Sequence, residues 1–370
     1  MMWKFLLRVL IFAVIALGIV VGINYFVDAS HVITSRSLEQ MARLVLEGNT
    51  VAVPENYNER IYQMAVLDQI KEMPETVVIG NSRGMYLGEE VTGYQSLFNH
   101  CVSGACIEDY YAIPAMYWQK FGKIPPQVIV EVSPWLLDDG NPEDRWSTLF
   151  SYRSAVEGLY QRLNGRKPEV LLGEVDPFNS RGQPFYSREN PWFSLPYFQY
   201  NCFTIRQKGL DAFKGDPVRV STDPAEAAEL PDGSLRYPAN LENPSPERLT
   251  RVRAITGPVT FEHADRMTGP GEESTEAFTN LIRYLQDQGT EVILYLAPFS
   301  PTQCGYSFDQ HLNPAFREAE EFLRGFAEEN GIRLIGGFDA RRFRLTDEQF
   351  SDESHPDKEA VKTVWNSKSL

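Results

Sequence analysis

Ser82 is the first residue whose surroundings suggest chemistry, because it follows a run that is typical of a buried strand. All four residues of Thr76–Ile79 are β-branched, and Gly80 ends the run, as expected for a strand buried on both faces. In α/β folds the reactive groups lie at the carboxyl ends of such strands. A helix that begins at this turn supplies free N–H groups and a favourable dipole for negative charge. Ser82 is therefore the candidate nucleophile, and it needs a base.

One of the five histidines lies in a setting suited to a general base. His355 belongs to a polar loop, Phe350 to Pro356, that precedes the last helical pattern, and Asp352 comes three residues before it. One turn then places the carboxylate beside the imidazole, where it would fix the tautomer and stabilise the imidazolium. The sequence also allows a purely structural interpretation, in which Ser82 caps a helix and the Asp-x-x-His segment closes a loop.

Strand and helix patterns alternate around these residues. Besides Thr76–Ile79, the patterns predict strands at 94–101, 127–134, 291–298 and 332–338, and helices at 107–121, 273–288 and 314–330. Alternation of this kind predicts an α/β fold, with a parallel sheet of about five strands and helices on both faces. Right-handed crossovers bring the carboxyl ends of the strands to one rim. Ser82, Gly104, Ser133 and the loop after Phe338 are expected at that rim.

Two further segments flank or interrupt this pattern. Residues 30–75 contain two helical patterns and are expected to form a juxtamembrane connector to the α/β domain, residues 76–370. Residues 135–271 form a large insertion rich in Pro, Gly, Asn and aromatic residues, and long insertions are usually lids or binding loops. The aromatic run 185–203 would either bind sugar rings or an acyl group, or form the insertion's own small core.

The amino terminus carries a targeting signal. Lys4 and Arg8 precede an uncharged, largely apolar run, residues 9–27, which approaches the roughly 20 residues that span a bilayer. Asp28 follows, so the positive-inside rule predicts a single-pass anchor, residues 1–29, in the plasma membrane with a cytoplasmic amino terminus. The alternative is a cleaved signal peptide, with small residues at positions 27 and 29. Both interpretations export the main domain.

Composition excludes several classes of function. The net charge of −15 and the pI near 4.9 argue against a nucleic-acid partner, since phosphate binding needs clustered Lys and Arg. No metal-ligand spacing and no phosphate-binding glycine motif occurs in the sequence, so no metal and no other cofactor is expected. The four cysteines form no C-x-x-C pair, which leaves open one disulfide or buried free thiols.

Three short blocks resemble the SGNH hydrolase superfamily. The turn Gly80-Asn81-Ser82 is similar to the first block, in which many members carry Asp at the position of Asn81. The segment from Asp352 to His355 is similar to the last block, which holds the triad base and its acidic partner. Residues 98–105 are similar to the second block, whose glycine N–H serves the oxyanion hole, here Gly104. The resemblance implies a three-layer, flavodoxin-like sheet and a triad of Ser82, His355 and Asp352.

The third block departs from that pattern. Hydrolases usually have Gly-x-Asn-Asp after the third strand, whereas this chain has Val132-Ser133-Pro134-Trp135, and losing one oxyanion donor costs roughly 10²–10³-fold in rate. Ser-Pro at this place in a membrane-anchored chain is similar to a subgroup that acts in teichoic-acid D-alanylation and exopolysaccharide acetylation. The likeness implies acyl transfer or ester hydrolysis on a cell-envelope polysaccharide or acylated donor, beside a multi-spanning membrane acyltransferase.

The sequence leaves alternatives to this function. The domain could be a plain carbohydrate esterase, or a catalytically degenerate module that binds polysaccharide or scaffolds a membrane acyltransferase. Arg83, Asn81, Ser133 and Gly104 are the candidate substrate-binding residues. Arg83 would either hold an anionic group or pair with an acidic neighbour.

Overall fold

The computed structural model describes residues 2–34, 36–54, 57–169, 190–214, 218–243, 245–254, 257–259 and 261–367. Its strands in chain order are β1 (Val51–Ala52), β2 (Thr76–Ile79), β3 (Leu97–Asn99), β4 (Gln127–Glu131), β5 (Ala228–Glu229), β6 (Leu235–Arg236), β7 (Glu291–Leu296) and β8 (Arg333–Gly336). Five of them form an entirely parallel sheet in the order β3-β2-β4-β7-β8. Counted in chain order, this is the 2-1-3-4-5 order of flavodoxin-like sheets. The predicted α/β fold with a five-stranded parallel sheet is confirmed.

Some helices join the strands of this sheet, and others belong to the segments that flank or interrupt it. They are α1 (Met2–Val27), α2 (Arg36–Leu46), α3 (Glu59–Gln69), α4 (Glu89–Thr92), α5 (Ile107–Phe121), α6 (Phe150–Asn164), α7 (Leu195–Lys208), α8 (Ala239–Glu242), α9 (Pro246–Arg253), α10 (Glu272–Asp287), α11 (Pro301–Cys304), α12 (Ala315–Glu329) and α13 (Lys358–Asn366). The prediction for α5 is matched to the residue, and those for α10 and α12 to within one residue at each end.

The second sheet strand is shorter than the sequence pattern predicts. The sequence predicts a strand over residues 94–101, but only Leu97–Asn99 pair with β2. Beyond them the chain continues alongside β2 through single hydrogen bonds, from the N–H of His100 to the carbonyl of Val78 and from that of Val102 to Gly80. An apolar pattern indicates that a segment is buried, whereas pairing in a β-sheet requires a neighbouring strand opposite each residue.

The segment between α1 and the sheet is packed against the main domain. Helices α2 and α3 share a small apolar core, to which Phe98 of β3 also contributes. Strand β1 of this segment pairs antiparallel with β5 of the insertion, and β5 pairs with β6, forming a small second sheet. The expected connector and the insertion are thus joined by backbone hydrogen bonds.

A buried ion pair attaches α3 to the centre of the molecule. Arg60 donates from Nε and Nη2 to the two carboxylate oxygens of Asp109 in α5, both at 2.7 Å. Its Nη2 also donates to the carbonyl of Gly104 at 3.0 Å, and Tyr152 of α6 donates to Asp109 at 3.0 Å. Both charged side chains are almost entirely buried. A bidentate pair of this kind fixes geometry as well as charge.

Helix α1 is 26 residues long, apolar and exposed along most of its length. Its length and composition suffice to cross a bilayer, and they equally fit a signal sequence. Among the described residues, α1 contacts α7 and the short turn that follows it, and its covered residues lie within 20–27.

We expect replacement of Arg60 by methionine to destabilise the protein by about 3–5 kcal/mol, because Asp109 would remain buried without its counter-charge. The free energy of unfolding by denaturant of the full chain in detergent measures this loss. Lys214→Met is the matched control, since Lys214 and its partner Asp211 are 75% and 72% exposed, and loss of such a pair costs at most about 1 kcal/mol. Equal losses of unfolding free energy in the two variants would contradict the assignment of Arg60 and Asp109 as a stabilising buried ion pair.

Candidate active site

Ser82 lies in the tight turn that follows β2. The residue opens a 3₁₀ turn, Ser82–Gly84, which Asn81 caps by accepting a hydrogen bond from the N–H of Arg83 at 2.9 Å. Gly80 is required before it, because a Cβ there would lie 2.6 Å from the Cβ of Glu131. The N–H of Ser82 donates to no acceptor within the described part of the chain, as is usual in the first turn of a helix. The turn thus presents a hydroxyl and a free N–H together.

The structure brings Ser82, His355 and Asp352 into one hydrogen-bonded chain. Ser82 Oγ lies 2.8 Å from His355 Nε2, and His355 Nδ1 lies 2.8 Å from Asp352 Oδ2. In the tautomer that this arrangement favours, Nδ1–H donates to the carboxylate and Nε2 accepts from the hydroxyl. This is the geometry in which a serine is deprotonated by an imidazole that a carboxylate orients.

The loop that carries His355 is held by the same carboxylate. Asp352 Oδ1 accepts from the backbone N–H groups of Ser354 and His355, at 2.8 and 2.9 Å. Burial raises the pKa of Asp352, but the attraction of His355 and these hydrogen bonds outweigh burial and lower it from 3.8 to about 2. The carboxylate is therefore charged at neutral pH, as a partner of an imidazolium must be.

Arg83 lies beneath the site, with its guanidinium in the interior. Its Nε donates to the carbonyl of Ser354 at 3.0 Å, Nη1 donates to Ser133 Oγ at 3.1 Å, and Nη2 donates to the carbonyl of Ala297. The guanidinium carbon also lies 4.3 Å from the centre of the Phe299 ring, a favourable cation–π distance. Arg83 thus joins the Ser82 turn to the His355 loop, and this geometry lends no support to an anion site there.

Asn81 and Ser133 also support the turn from below. Asn81 Nδ2 donates to Ser133 Oγ at 2.8 Å, and Ser133 Oγ donates to Glu131 Oε1 at 2.8 Å. Glu131 Oε2 accepts from the N–H of Asn81 at 3.1 Å. Burial raises the pKa of Glu131, while the charge of Arg83 opposes the rise. Glu131 is not among the site residues predicted from the sequence, although a single carboxylate at the end of the apolar strand β4 points to such a role.

Gly104 lies in the loop after β3, as predicted for residues 98–105. Its φ of +57° is in the left-handed region, which glycine adopts without strain, and its N–H donates to no acceptor within the described residues. The preceding residue, Ser103, donates from Oγ to Glu59 of α3 at 2.9 Å and from its N–H to the same carboxylate. Glu59 and Arg60 together therefore hold this loop in place.

A cavity of about 270 Å³ opens over Ser82 and His355. Tyr86 and two residues of the insertion, Tyr237 and Leu241, form part of its wall. The Tyr237 hydroxyl donates to the carbonyl of Ser82 at 3.3 Å. The cavity suits a small acyl group, since its wall combines aromatic and aliphatic carbon with the reactive hydroxyl. The contribution of Tyr237 follows from the fold and had no signal in the sequence.

The insertion is fastened to the His355 loop by a second buried arginine. Arg248 of α9 donates from Nη1 to the carbonyl of Leu241 at 2.9 Å and from Nη2 to Asp357 at 3.2 Å. Its Nε donates to the carbonyl of Phe350, where the His355 loop begins. Arg248 thereby sets the position of the cavity wall relative to the imidazole.

The described part of the aromatic run 185–203 does not line this cavity. Residues 185–189 are outside the described residues. In the remainder, Trp192 stacks on Tyr25 of α1, and Tyr197 and Tyr200 are buried in a small cluster beside the residues that follow α1. Within the described residues, the insertion side chains around the cavity come from 237–241 instead.

Comparison with known proteins assigns no family to this chain: no protein-family model matches it, and neither does any curated protein. Fold and site define an α/β protein with a five-stranded parallel sheet, an N-terminal apolar helix and a Ser-His-Asp arrangement at the sheet rim. Within the described residues no cluster of His, Cys, Asp and Glu is arranged to hold a metal. All four cysteines are free thiols.

We expect the contribution of Asp352 to stability to disappear in acid. A carboxylate whose pKa falls on folding stabilises the protein above its ordinary pKa, and this contribution is lost as the pH falls through the folded-state pKa. The difference in free energy of unfolding between wild type and Asp352→Asn should therefore stay constant down to about pH 4 and become smaller as the pH falls towards about 2. Denaturant titrations of both proteins across that range provide the measurement. A difference that does not change with pH would contradict the assigned ionisation.

Proposed function

We propose that this protein is an SGNH-type serine acyltransferase or esterase acting on a cell-envelope polysaccharide or a related polymer. The observation that carries the proposal is the chain from Asp352 through His355 to Ser82, which opens into a cavity of about 270 Å³. A module that only binds a polymer has no need of a base hydrogen-bonded to a serine. The three blocks that resemble the SGNH superfamily agree with this assignment.

In the first half of the proposed reaction Ser82 becomes acylated. Ser82 Oγ attacks the carbonyl carbon of an acyl ester, and His355 Nε2 takes the hydroxyl proton while Asp352 stabilises the imidazolium. The carbonyl electron pair moves to oxygen, which becomes the oxyanion. When the tetrahedral intermediate collapses, the bond to the leaving oxygen breaks and that oxygen takes the proton from His355. The products are an acyl-serine and the free alcohol.

The second half repeats these steps with a new nucleophile. His355 removes a proton from the acceptor hydroxyl, which attacks the acyl carbon, and the proton returns to Ser82 Oγ as the acyl bond to serine breaks. Water as the acceptor gives hydrolysis, and a sugar hydroxyl gives transfer. No oxidant, metal or additional cofactor is required for either outcome.

The oxyanion would be stabilised by backbone N–H groups. Those of Ser82 and Gly104 are unoccupied within the described residues, whereas the Ser133 hydroxyl is already engaged with Asn81, Arg83 and Glu131. The donor that hydrolases usually place after the third strand therefore has no replacement in Ser133. A missing donor lowers the rate by roughly 10²–10³-fold. We infer that deacylation by water is slow and that a bound acceptor is needed for turnover.

We further propose that α1 is retained as a single-pass anchor in the plasma membrane, with the main domain outside. Around the alternative cleavage site, Val27 and Asp28 are buried, and the N–H of Ala29 donates to Asn201 at 3.0 Å. Asp28 accepts from the hydroxyl of Tyr197 at 2.6 Å. Cleavage here would separate α1 from the side chains that pack on it. A retained anchor keeps the site near a membrane partner such as a multi-spanning acyltransferase.

Ser82 is expected to react with a serine-directed fluorophosphonate, and Ser82→Ala is expected to abolish the label. Ser351→Ala is the matched control, because Ser351 lines the same cavity but its hydroxyl donates to the carbonyl of His355. Mass spectrometry of the labelled peptide identifies the modified residue. Labelling that survives Ser82→Ala would refute the nucleophile assignment.

Aryl acetate esters then distinguish the possible outcomes. A burst equivalent to one acyl group per protein, followed by slow release, is expected for an acyl-enzyme that awaits its acceptor. Continuous fast release that depends on Ser82 would instead indicate a plain esterase. Absence of both labelling and release would favour a catalytically degenerate module that binds polysaccharide or scaffolds a membrane acyltransferase.

Retention of α1 predicts an intact amino terminus. The protein isolated from the membranes of an expressing bacterium should have the mass of a chain that still contains residues 1–29, and a peptide that includes Trp3 should be found after digestion. Cleavage at residues 27–29 would instead release a shorter protein, in conflict with the buried contacts of Asp28.

A further inference from the structure

Within the insertion, the segment 190–213 lies against the end of α1. Asn24 of α1 donates from Nδ2 to the carbonyls of Pro191 and Ser194, at 2.9 and 3.0 Å, and accepts from Asn201 Nδ2 at 3.2 Å. Trp192 stacks on Tyr25 with ring centres 5.3 Å apart. The 3₁₀ turn after α7, Gly209–Phe213, also contacts α1. The contact between the two elements thus combines amide hydrogen bonds with an aromatic stack.

Several large apolar side chains of this segment remain exposed. Trp192, Phe193, Leu195, Leu210 and Phe213 are all exposed, Leu210 to 83%. Together with the exposed Phe26 of α1, these six residues are called the foot surface below. Outside α1, the described residues expose only four other large apolar side chains: Trp118, Phe150, Val220 and Leu312. Single exposed apolar residues need no explanation, but a concentration of them marks an interaction surface.

The foot surface is continuous with a helix that is itself exposed and apolar. Helix α1 has the length and composition to cross a bilayer, and the segment 190–213 packs on its last two turns, where a spanning helix would leave the hydrocarbon core. Trp and Tyr are the residues enriched at that level, because an apolar ring with a polar edge suits the boundary between acyl chains and headgroups. Trp192 and Tyr25 form such a pair. Phe and Leu beside them match the apolar side of interfacial segments.

We propose that the foot surface is seated in the lipid interface of the membrane that α1 crosses, with its apolar side chains among the outer acyl chains. The proposal rests on retention of α1 as an anchor and goes beyond the proposed catalytic function. The bilayer then contacts the domain at two places, α1 and the insertion. Two contacts restrict rotation of the domain about α1, so that the Ser82 cavity keeps a fixed orientation above the membrane.

Tryptophan quenching by brominated lipid tests this directly in the full chain. The protein is reconstituted into phosphatidylcholine vesicles whose acyl chains are either unmodified or brominated close to the headgroup. Three variants, Trp192→Phe, Trp118→Phe and Trp3→Phe, each remove the emission of one residue. Trp118 is the matched control, because it is 39% exposed, as Trp192 is, but lies on α5 of the sheet domain. Trp3 lies in α1 and reports insertion of the anchor.

The emission assigned to Trp192, obtained as wild type minus variant, is expected to be largely lost in brominated vesicles, while that of Trp118 is unchanged. Quenching of Trp3 without quenching of Trp192 would overturn the foot surface and leave the anchor intact. Absence of quenching at both Trp3 and Trp192 would overturn both the anchor and the foot surface. The fluorophosphonate labelling of Ser82 does not depend on any of these three tryptophans. A failure of the catalytic proposal is therefore distinguished from a failure of the foot surface.

Discussion

The buried guanidinium of Arg83 is the interaction on which the site depends. Ser82 and His355 are 273 residues apart in the chain, and each lies in a short turn that has little rigidity of its own. Arg83 follows Ser82 directly and donates to the carbonyl of Ser354, directly before His355. Because an ion is costly to bury without partners, Arg83 also donates from Nη1 to Ser133 and from Nη2 to the carbonyl of Ala297. The requirement to satisfy this one charge fixes Ser82, the proposed nucleophile, relative to His355, its proposed base.

The segments outside the sheet are part of the site and not additions to it. Glu59 and Arg60 of α3 hold the loop of Ser103 and Gly104, which carries the second predicted oxyanion donor. On the opposite side, Arg248 fastens the insertion to the loop of His355, and Tyr237 forms the cavity wall. A sheet rim alone would present the three reactive residues to open solvent. The added segments wall the rim into a partly covered cavity, and electrostatic interactions with a developing oxyanion strengthen as water is excluded.

The absence of an oxyanion donor at Ser133 and the proposed retention of α1 as an anchor both agree with the proposed function. Ser133 takes the position after β4 but uses its hydroxyl to support the turn below Ser82, so less stabilisation is available to the tetrahedral intermediate. An acyl carrier beside a membrane partner needs only a stable acyl-serine and an acceptor delivered to it.

The sequence by itself determined the features that depend on neighbours in the chain. A run of β-branched residues before Gly80 specifies a buried strand, the three-residue spacing of Asp352 and His355 specifies their contact, and an uncharged run of nineteen residues specifies α1. Only the tertiary structure decided what depends on distant partners. Contacts between distant elements turn Arg83 towards the interior and place Glu131 under the Ser82 turn. They also bring the aromatic residues after 190 against α1. The same side chain is equally suited to either role until burial removes its water and only protein partners remain.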